Sequence, residues 1–408
     1  MPDRTLADRA LPALAACTGR SSQAARGDLE SRALEYARHG HPPTDDPSNR
    51  HRHCPAAATS DGAVLSHHLI YPENTVPSLL PNVDPQGLLE YSVVYTDRAL
   101  NHMSQSFQGV MKDISRVLKQ VYNAKSAVVV PGSGTFGMEA VARQFATDKK
   151  VMVIRNGWFS FRWTQIFDMG RIPSESVVLK ARQPVPGSQK AFAPPPLNEV
   201  VAAILEHKPA VVFAPQVETS VGLQLPDDYL RAVAAAVREV DGLFVLDAIA
   251  AGTLWVDMGA LGIDVVVSAP QKGWSGSPCA GLVMLGERAR ARIDSTTSTS
   301  YAADLKKWLQ IMETYEGGGH AYHATLPTDG LTQLRNVMLE TESFGFDKVK
   351  ANQIELGRQI RALMEARGFE SVAADGFKAP CVVVSYTSDP DIQNGRKFMA
   401  QGLQIAAG

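Results

Sequence analysis

Two residues stand where chemistry is costly to place. Asp247 closes "GLFVLD", an apolar run, and Lys272 follows "DVVVSAPQ", whose consecutive valines read as a core strand. Neither an aspartate nor a lysine is comfortable in a core without a partner. The two lie one strand–helix–strand step apart, so they would stand at the ends of neighbouring strands. A salt bridge between them is the plain structural reading. The chemical reading is a ligand that presents a cation to the carboxylate and an electrophilic carbon to the amine.

Two further stretches bear on that ligand. After "AVVVP" comes "GSGTFGMEA", small residues leading straight into a helical pattern. A helix start of this kind leaves N–H groups and the positive end of the helix dipole free for a phosphate. Ser133 and Thr135 add hydroxyls, although the same residues also make an ordinary strand-to-helix turn. No Gly-Lys-Ser/Thr follows, so this is not a P-loop, and the full GxGxxG dinucleotide pattern is missing. After "VMVIR" comes "NGWFSFRW", with Trp158, Phe159, Phe161 and Trp163 crowded together. A helical core face accounts for some of these rings, and one could stack on a flat ligand. Glu218, Thr219 and Ser220 follow "AVVFAPQV" and would stand at the same sheet edge. A phosphate, a flat ring, a ring cation and a lysine-bound aldehyde together describe pyridoxal 5'-phosphate.

The elements that must position these residues read as α/β. Candidate strands are Ala127–Pro131, Val151–Arg155, Ala210–Pro215, Gly242–Ile249, Asp264–Pro270 and Gly281–Leu285. Continuous apolar runs predict strands buried on both faces, hence a largely parallel sheet covered by helices. Helical patterns span Phe136–Ala146, Leu197–His207 and Pro226–Val240, the last opening on Pro and two acids. In a doubly wound sheet, ligands bind at the carboxyl ends of the strands, where the residues above fall.

Composition limits the partners. The chain has 408 residues, enough for two or three domains, and a formal net charge of −2, which gives no reason to expect nucleic acid or an anionic membrane. No apolar run approaches the ~18 residues of a membrane span. Cys17, Cys54, Cys279 and Cys381 form no CxxC pair or metal spacing, which fits a reducing, cytoplasmic setting. Residues 1–75 are rich in Arg, Ala, Ser, Pro and Asp and read as a mostly disordered extension, with too many acids for a transit peptide. The "HRHC" cluster there (His51, His53, Cys54) reads as polar tail rather than a metal site, and no metal is expected elsewhere.

From about Leu80 onward the chain resembles class V aminotransferases of fold type I. It is most similar to the alanine–glyoxylate and serine–glyoxylate (serine–pyruvate) branch. The motifs that carry the resemblance, in order, are "PGSGTFGMEA", "NGWFSFR", "VETSVG", "VLDAIA", "VSAPQKG" and "HAYHATLP". The resemblance implies a pyridoxal-phosphate-dependent transferase fold with a mostly parallel seven-stranded sheet. That large domain would span residues 76–340, and a small α/β domain, truncated, would occupy 341–408. It implies Lys272 as the covalent anchor and Asp247 as partner of the ring nitrogen. Ser133, Gly134 and Thr135 would bind the phosphate, with Gln271 beside them. Phe159 would stack on one ring face, Trp158 being a close competitor, and Ile249 would pack on the other. Thr219 would lie near the phenolic oxygen. Tyr322 and Thr325 would reach the phosphate of a second subunit, implying a homodimer with active sites at the interface.

The implied reaction moves an amino group between a small amino acid of the alanine or serine type and a small 2-oxo acid such as glyoxylate or pyruvate. The sequence departs from the family in three places. "VDPQGLLEYSVVYTDRALNHMS" replaces the GPGP-like loop expected near residue 80, and Pro270 stands where serine is common. The expected "RIG"-like strand, with its carboxylate-binding arginine, would lie beyond "LQIAAG". An inactive, truncated aminotransferase is therefore one alternative. Another is a lyase or cysteine desulfurase on the same cofactor, though desulfurases carry His before the lysine and this chain has Gln271. A phosphate-binding protein without this cofactor leaves Lys272 and Asp247 unexplained.

Overall fold

The computed structural model of the chain describes residues 100–406, all within one compact unit. The expectations for residues 1–75 and for the loop near residue 80 lie outside the described residues. Among the described residues there are nine strands: β1 (Ser126–Pro131), β2 (Lys150–Arg155), β3 (Glu175–Lys180), β4 (Val211–Pro215), β5 (Val217–Glu218), β6 (Leu223–Gln224), β7 (Leu243–Asp247), β8 (Val265–Ser268) and β9 (Ala280–Leu285). Seven of them form one sheet in the order β1-β9-β8-β7-β4-β2-β3. β8, β7, β4, β2 and β3 pair in parallel, and β9 runs against both its neighbours. The expected seven-stranded, mostly parallel sheet is present.

The six strands read from continuous apolar runs are all found, and β4, β7, β8 and β9 are buried along their whole length. β3 was not anticipated. It is one of the two edge strands and half-exposed, and "ESVVLK" carries only three apolar residues. An edge needs fewer buried side chains, so its signal in the sequence is weak.

Helices alternate with the strands. They are α1 (Gln105–Tyr122), α2 (Gly134–Phe145), α3 (Trp158–Gly170), α4 (Leu197–His207), α5 (Asp227–Glu239) and the short α6 (Met258–Leu261). After β8 and β9 come α7 (Glu287–Ile293), α8 (Leu305–Glu316), α9 (Thr328–Phe344) and α10 (Phe346–Glu365). Local rules explain their ends. The Ser104 hydroxyl caps α1 by accepting from Phe107 N–H at 3.1 Å, and Asn123 closes it in the left-handed conformation. Pro226 precedes α5, whose first turn holds Asp227 and Asp228, as expected from the helix dipole.

The C-terminal segment differs from expectation. Cys381–Tyr386 reads as a strand but forms no ladder. Val372 N–H donates to Val384 O and Tyr386 N–H to Glu370 O, and a single bridge joins Ser371 to Ser385. Two single turns follow, α11 (Pro390–Gln393) and α12 (Arg396–Met399), parted by Gly395 at φ 78°. Among the described residues no helix is long and apolar enough to cross a membrane.

Candidate active site

The sheet register sets the geometry. Asp247 ends β7 opposite Pro215 of β4 on one side and Val267 of β8 on the other. The turn carrying Lys272 begins just past Ser268, so both residues leave the sheet at the same end. That turn is tied by Ser275 N–H to Lys272 O and by Gly276 N–H to Pro270 O. Trp274 anchors it, fully buried, with its ring 5.0 Å from that of Trp255. Gly273 packs so tightly that a Cβ there would overlap the Gly252 carbonyl. Lys272 itself is exposed. Among the described residues it forms no ion pair, so the salt bridge to Asp247 is not what holds either residue.

Asp247 is buried, and its carboxylate accepts one hydrogen bond from Ile249 N–H at 3.1 Å. Burial pushes the carboxyl up to about 7, the Ile249 N–H opposes this, nearby Glu218 adds to it, and Arg162 pulls the other way. A carboxyl poised near neutrality is one that an adjacent cation would hold ionised.

The start of α2 completes the group. Ser133 is extended (φ −154°), and its side chain makes no capping bond. The N–H groups of Gly134, Thr135 and Phe136 take no partner among the described residues. A Cβ on Gly134 would come 2.7 Å from Ile249 Cδ1 and 3.2 Å from the Ala269 methyl. The helix start, Ile249 two residues past Asp247, and Ala269 on the approach to Lys272 therefore converge on one point. Gln271 has a buried side-chain oxygen without a hydrogen-bond donor.

Two further residues join this group: Glu218, which the sequence placed at this sheet edge without a role, and Arg162, which it did not single out. Glu218, at the end of β5, is fully buried. Its carboxylate accepts from Phe159 N–H (3.1 Å), Ser160 N–H (2.9 Å), the Ser160 hydroxyl (2.7 Å), Ser220 N–H (3.2 Å) and the Ser220 hydroxyl (2.7 Å). It thus caps α3 from outside the helix and satisfies donors that would otherwise be orphaned. The Ser220 hydroxyl also accepts from Trp158 N–H at 2.9 Å. Arg162, one turn on, donates to Thr135 Oγ1 at 3.2 Å, and its guanidinium lies 5.4 Å from the Phe159 ring centroid. The buried carboxylate in "VETS" was the available signal for Glu218. Nothing in the sequence paired Arg162 with Thr135.

The four aromatics of "NGWFSFRW" divide as a helix dictates. Trp163 is fully buried in the core, Phe159 is 39 % exposed and Trp158 64 % exposed. Phe159, held by Glu218, is the better fixed of the two exposed rings. Thr219 is half-buried in the β5–β6 turn beside Glu218. Tyr322 and Thr325 are exposed, with hydroxyls 3.4 Å apart, and neither hydrogen-bonds to the group around Asp247 and Lys272. Among the described residues no cluster of His, Cys, Asp or Glu could hold a metal ion. His51, His53 and Cys54 lie outside them.

This arrangement fits pyridoxal phosphate. Free N–H donors at a helix start suit a phosphate, a buried carboxyl without an ion-pair partner suits the ring nitrogen, and an unpaired lysine suits the aldehyde carbon.

No protein-family model matches the chain. Over 267 residues it is 29 % identical to the 2-aminoethylphosphonate–pyruvate transaminase of Vibrio vulnificus (strain CMCP6), covering 64 % of this chain and 68 % of that protein. Over 271 residues it is 27 % identical to alanine–glyoxylate aminotransferase 1 of Saccharomyces cerevisiae, covering 61 % of this chain and 66 % of that one. Among solved structures, the ureidoglycine–glyoxylate aminotransferase of Bacillus subtilis superposes with a TM-score of 0.64 at 22 % identity, over 76 % of this chain and 78 % of that one. At that identity the likeness establishes the fold.

Proposed function

We propose that this chain, whose relatives and structural neighbours are class V aminotransferases, transfers an amino group between a small amino acid and a small 2-oxo acid using pyridoxal 5'-phosphate. Pyruvate and glyoxylate, named in its relatives' activities, are the acceptors to expect. The observation that carries this reading is the convergence of Asp247, Lys272 and the start of α2 at one end of the sheet.

In this reading the phosphate is held by the N–H groups of the first turn of α2 and the hydroxyls of Ser133 and Thr135, with Gln271 beside them. Phe159 and Ile249 would hold the ring between them, with Thr219 on the side of its phenolic oxygen. When bound, the cofactor supplies a carbonyl carbon that accepts amines and a ring that takes up electrons. Asp247 keeps a proton on the ring nitrogen. Lys272 would hold the cofactor and, when its amine is free, would move the proton at the substrate Cα. Tyr322 and Thr325, exposed in one chain, would serve the site of a second copy, so the active form is a homodimer. The separated cysteines support a cytoplasmic setting.

A cysteine desulfurase needs an activated thiol. Burial pushes the Cys279 thiol up to about 11, with Asp329 adding to it, and burial pushes Cys381 up to about 11. Among the described residues neither cysteine is therefore an activated thiol, and Cys17 and Cys54 lie outside them. The test is a panel of amino donors against glyoxylate and pyruvate, read with the visible absorbance of the loaded protein. Small amino acids should shift the band and yield the matching keto acid. Release of sulfide or ammonia without any keto-acid acceptor would overturn transamination.

A further inference from the structure

We propose that Arg162 is a positioning residue for the cofactor phosphate, acting through Thr135. The inference rests on the reading that the site takes pyridoxal phosphate. A guanidinium can only donate, so in the 3.2 Å contact Thr135 Oγ1 is the acceptor. The threonine proton is thereby directed away from Arg162 and left to donate elsewhere. Thr135 lies in the first turn of α2, beside N–H groups that have no partner among the described residues, so that proton joins the same set of donors.

The charge balance points the same way. Arg162 is half-buried, and among the described residues no carboxylate forms an ion pair with it. It stands next to the positive end of a 12-residue helix. Two like charges so placed repel, unless an anion lies between them. The Asp247 carboxyl is near enough to feel the Arg162 charge but makes no ion pair with it, and a phosphate dianion at the helix start would lie against both positive groups. The guanidinium is kept in place by the face of Phe159, three residues earlier on the same side of α3. The Glu218 cap fixes that turn of α3 in its place. Arg162 thus links the aromatic platform to the phosphate cradle.

The test compares cofactor-free protein titrated with pyridoxal phosphate and with pyridoxal, which lacks the phosphate. Arg162→Met should weaken pyridoxal phosphate roughly 10- to 100-fold, the range for a hydrogen bond involving a charged group. Pyridoxal affinity should stay within about 3-fold. Arg162→Lys keeps the charge and should recover most of the phosphate-dependent affinity. Adding Thr135→Val to Arg162→Met should cost little more, because the two act as one unit. Equal losses for both ligands, or no loss for either, would overturn the inference. A folded wild-type protein that binds neither ligand would instead overturn the cofactor reading, and this inference with it. If Arg162→Met does not fold, the Arg162→Lys and Thr135→Val proteins decide: unaltered discrimination between the two ligands in both would overturn it.

Discussion

Asp247 and Lys272 leave neighbouring parallel strands at the same end of the sheet and form no ion pair with each other. Each is left to face something else. Asp247 keeps a single hydrogen bond, from Ile249 N–H, and Lys272 projects from a turn held by Trp274.

Replacing the lysine tests the anchor. Lys272→Ala should abolish the attachment that borohydride makes permanent, and slow transamination by roughly 10²- to 10⁴-fold or more. The checks are mass spectrometry after reduction and an absorbance spectrum without added amine. An unchanged spectrum in the variant would sink the assignment.

The aspartate predicts a pH dependence. Its carboxyl is raised from 3.8 to about 7 in the folded, cofactor-free protein, through burial first and Glu218 second, with Ile249 N–H and Arg162 opposing. The folded state therefore holds a proton that the unfolded chain has released. That stability is complete below about 4 and is lost as pH rises through about 7, a change on the order of 4 kcal/mol. The urea midpoint of cofactor-free protein should fall between pH 5 and 8. Asp247→Asn should flatten the curve, and pyridoxal phosphate should shrink the slope. A wild-type midpoint that is level over this range contradicts the prediction.

Glu218 should behave as a buried cap. Glu218→Ala strips the acceptor from donors on Phe159, Ser160 and Ser220. A loss of about 2–4 kcal/mol in urea unfolding is expected, with weakened cofactor binding because Phe159 is no longer fixed. If the Ala variant keeps wild-type stability, the network carries no weight.

Gly273 cannot carry a side chain where it stands, since a Cβ would overlap the Gly252 carbonyl. Gly273→Ala should cost about 1–3 kcal/mol and displace the Lys272 turn. Thermal unfolding and cofactor titration together measure both effects. Wild-type values in each would show that the turn shifts freely.

Much of the fold was legible from the chain because a parallel sheet buried on both faces writes itself as runs such as "AVVVP", "GLFVLD" and "DVVVS". The half-exposed β3 was not, because its local pattern is weak, and Cys381–Tyr386 reads as a strand that finds no ladder. The one is stabilised by its single neighbour in the sheet, β2, and the other by scattered hydrogen bonds to Glu370 and Val372.

The candidate site divides in the same way. Residue type and position after a strand were enough to single out Lys272, Asp247 and the Ser133–Thr135 turn, since costly groups at strand ends stand out in one dimension. Tertiary structure alone decided that Asp247 and Lys272 do not pair, that Glu218 caps α3, and that Arg162 reaches Thr135. Hydrogen bonds between Glu218 and Ser160, or between Arg162 and Thr135, join residues far apart in the chain. Their distances and directions come from packing β5 and α2 against α3, which no local sequence signal encodes.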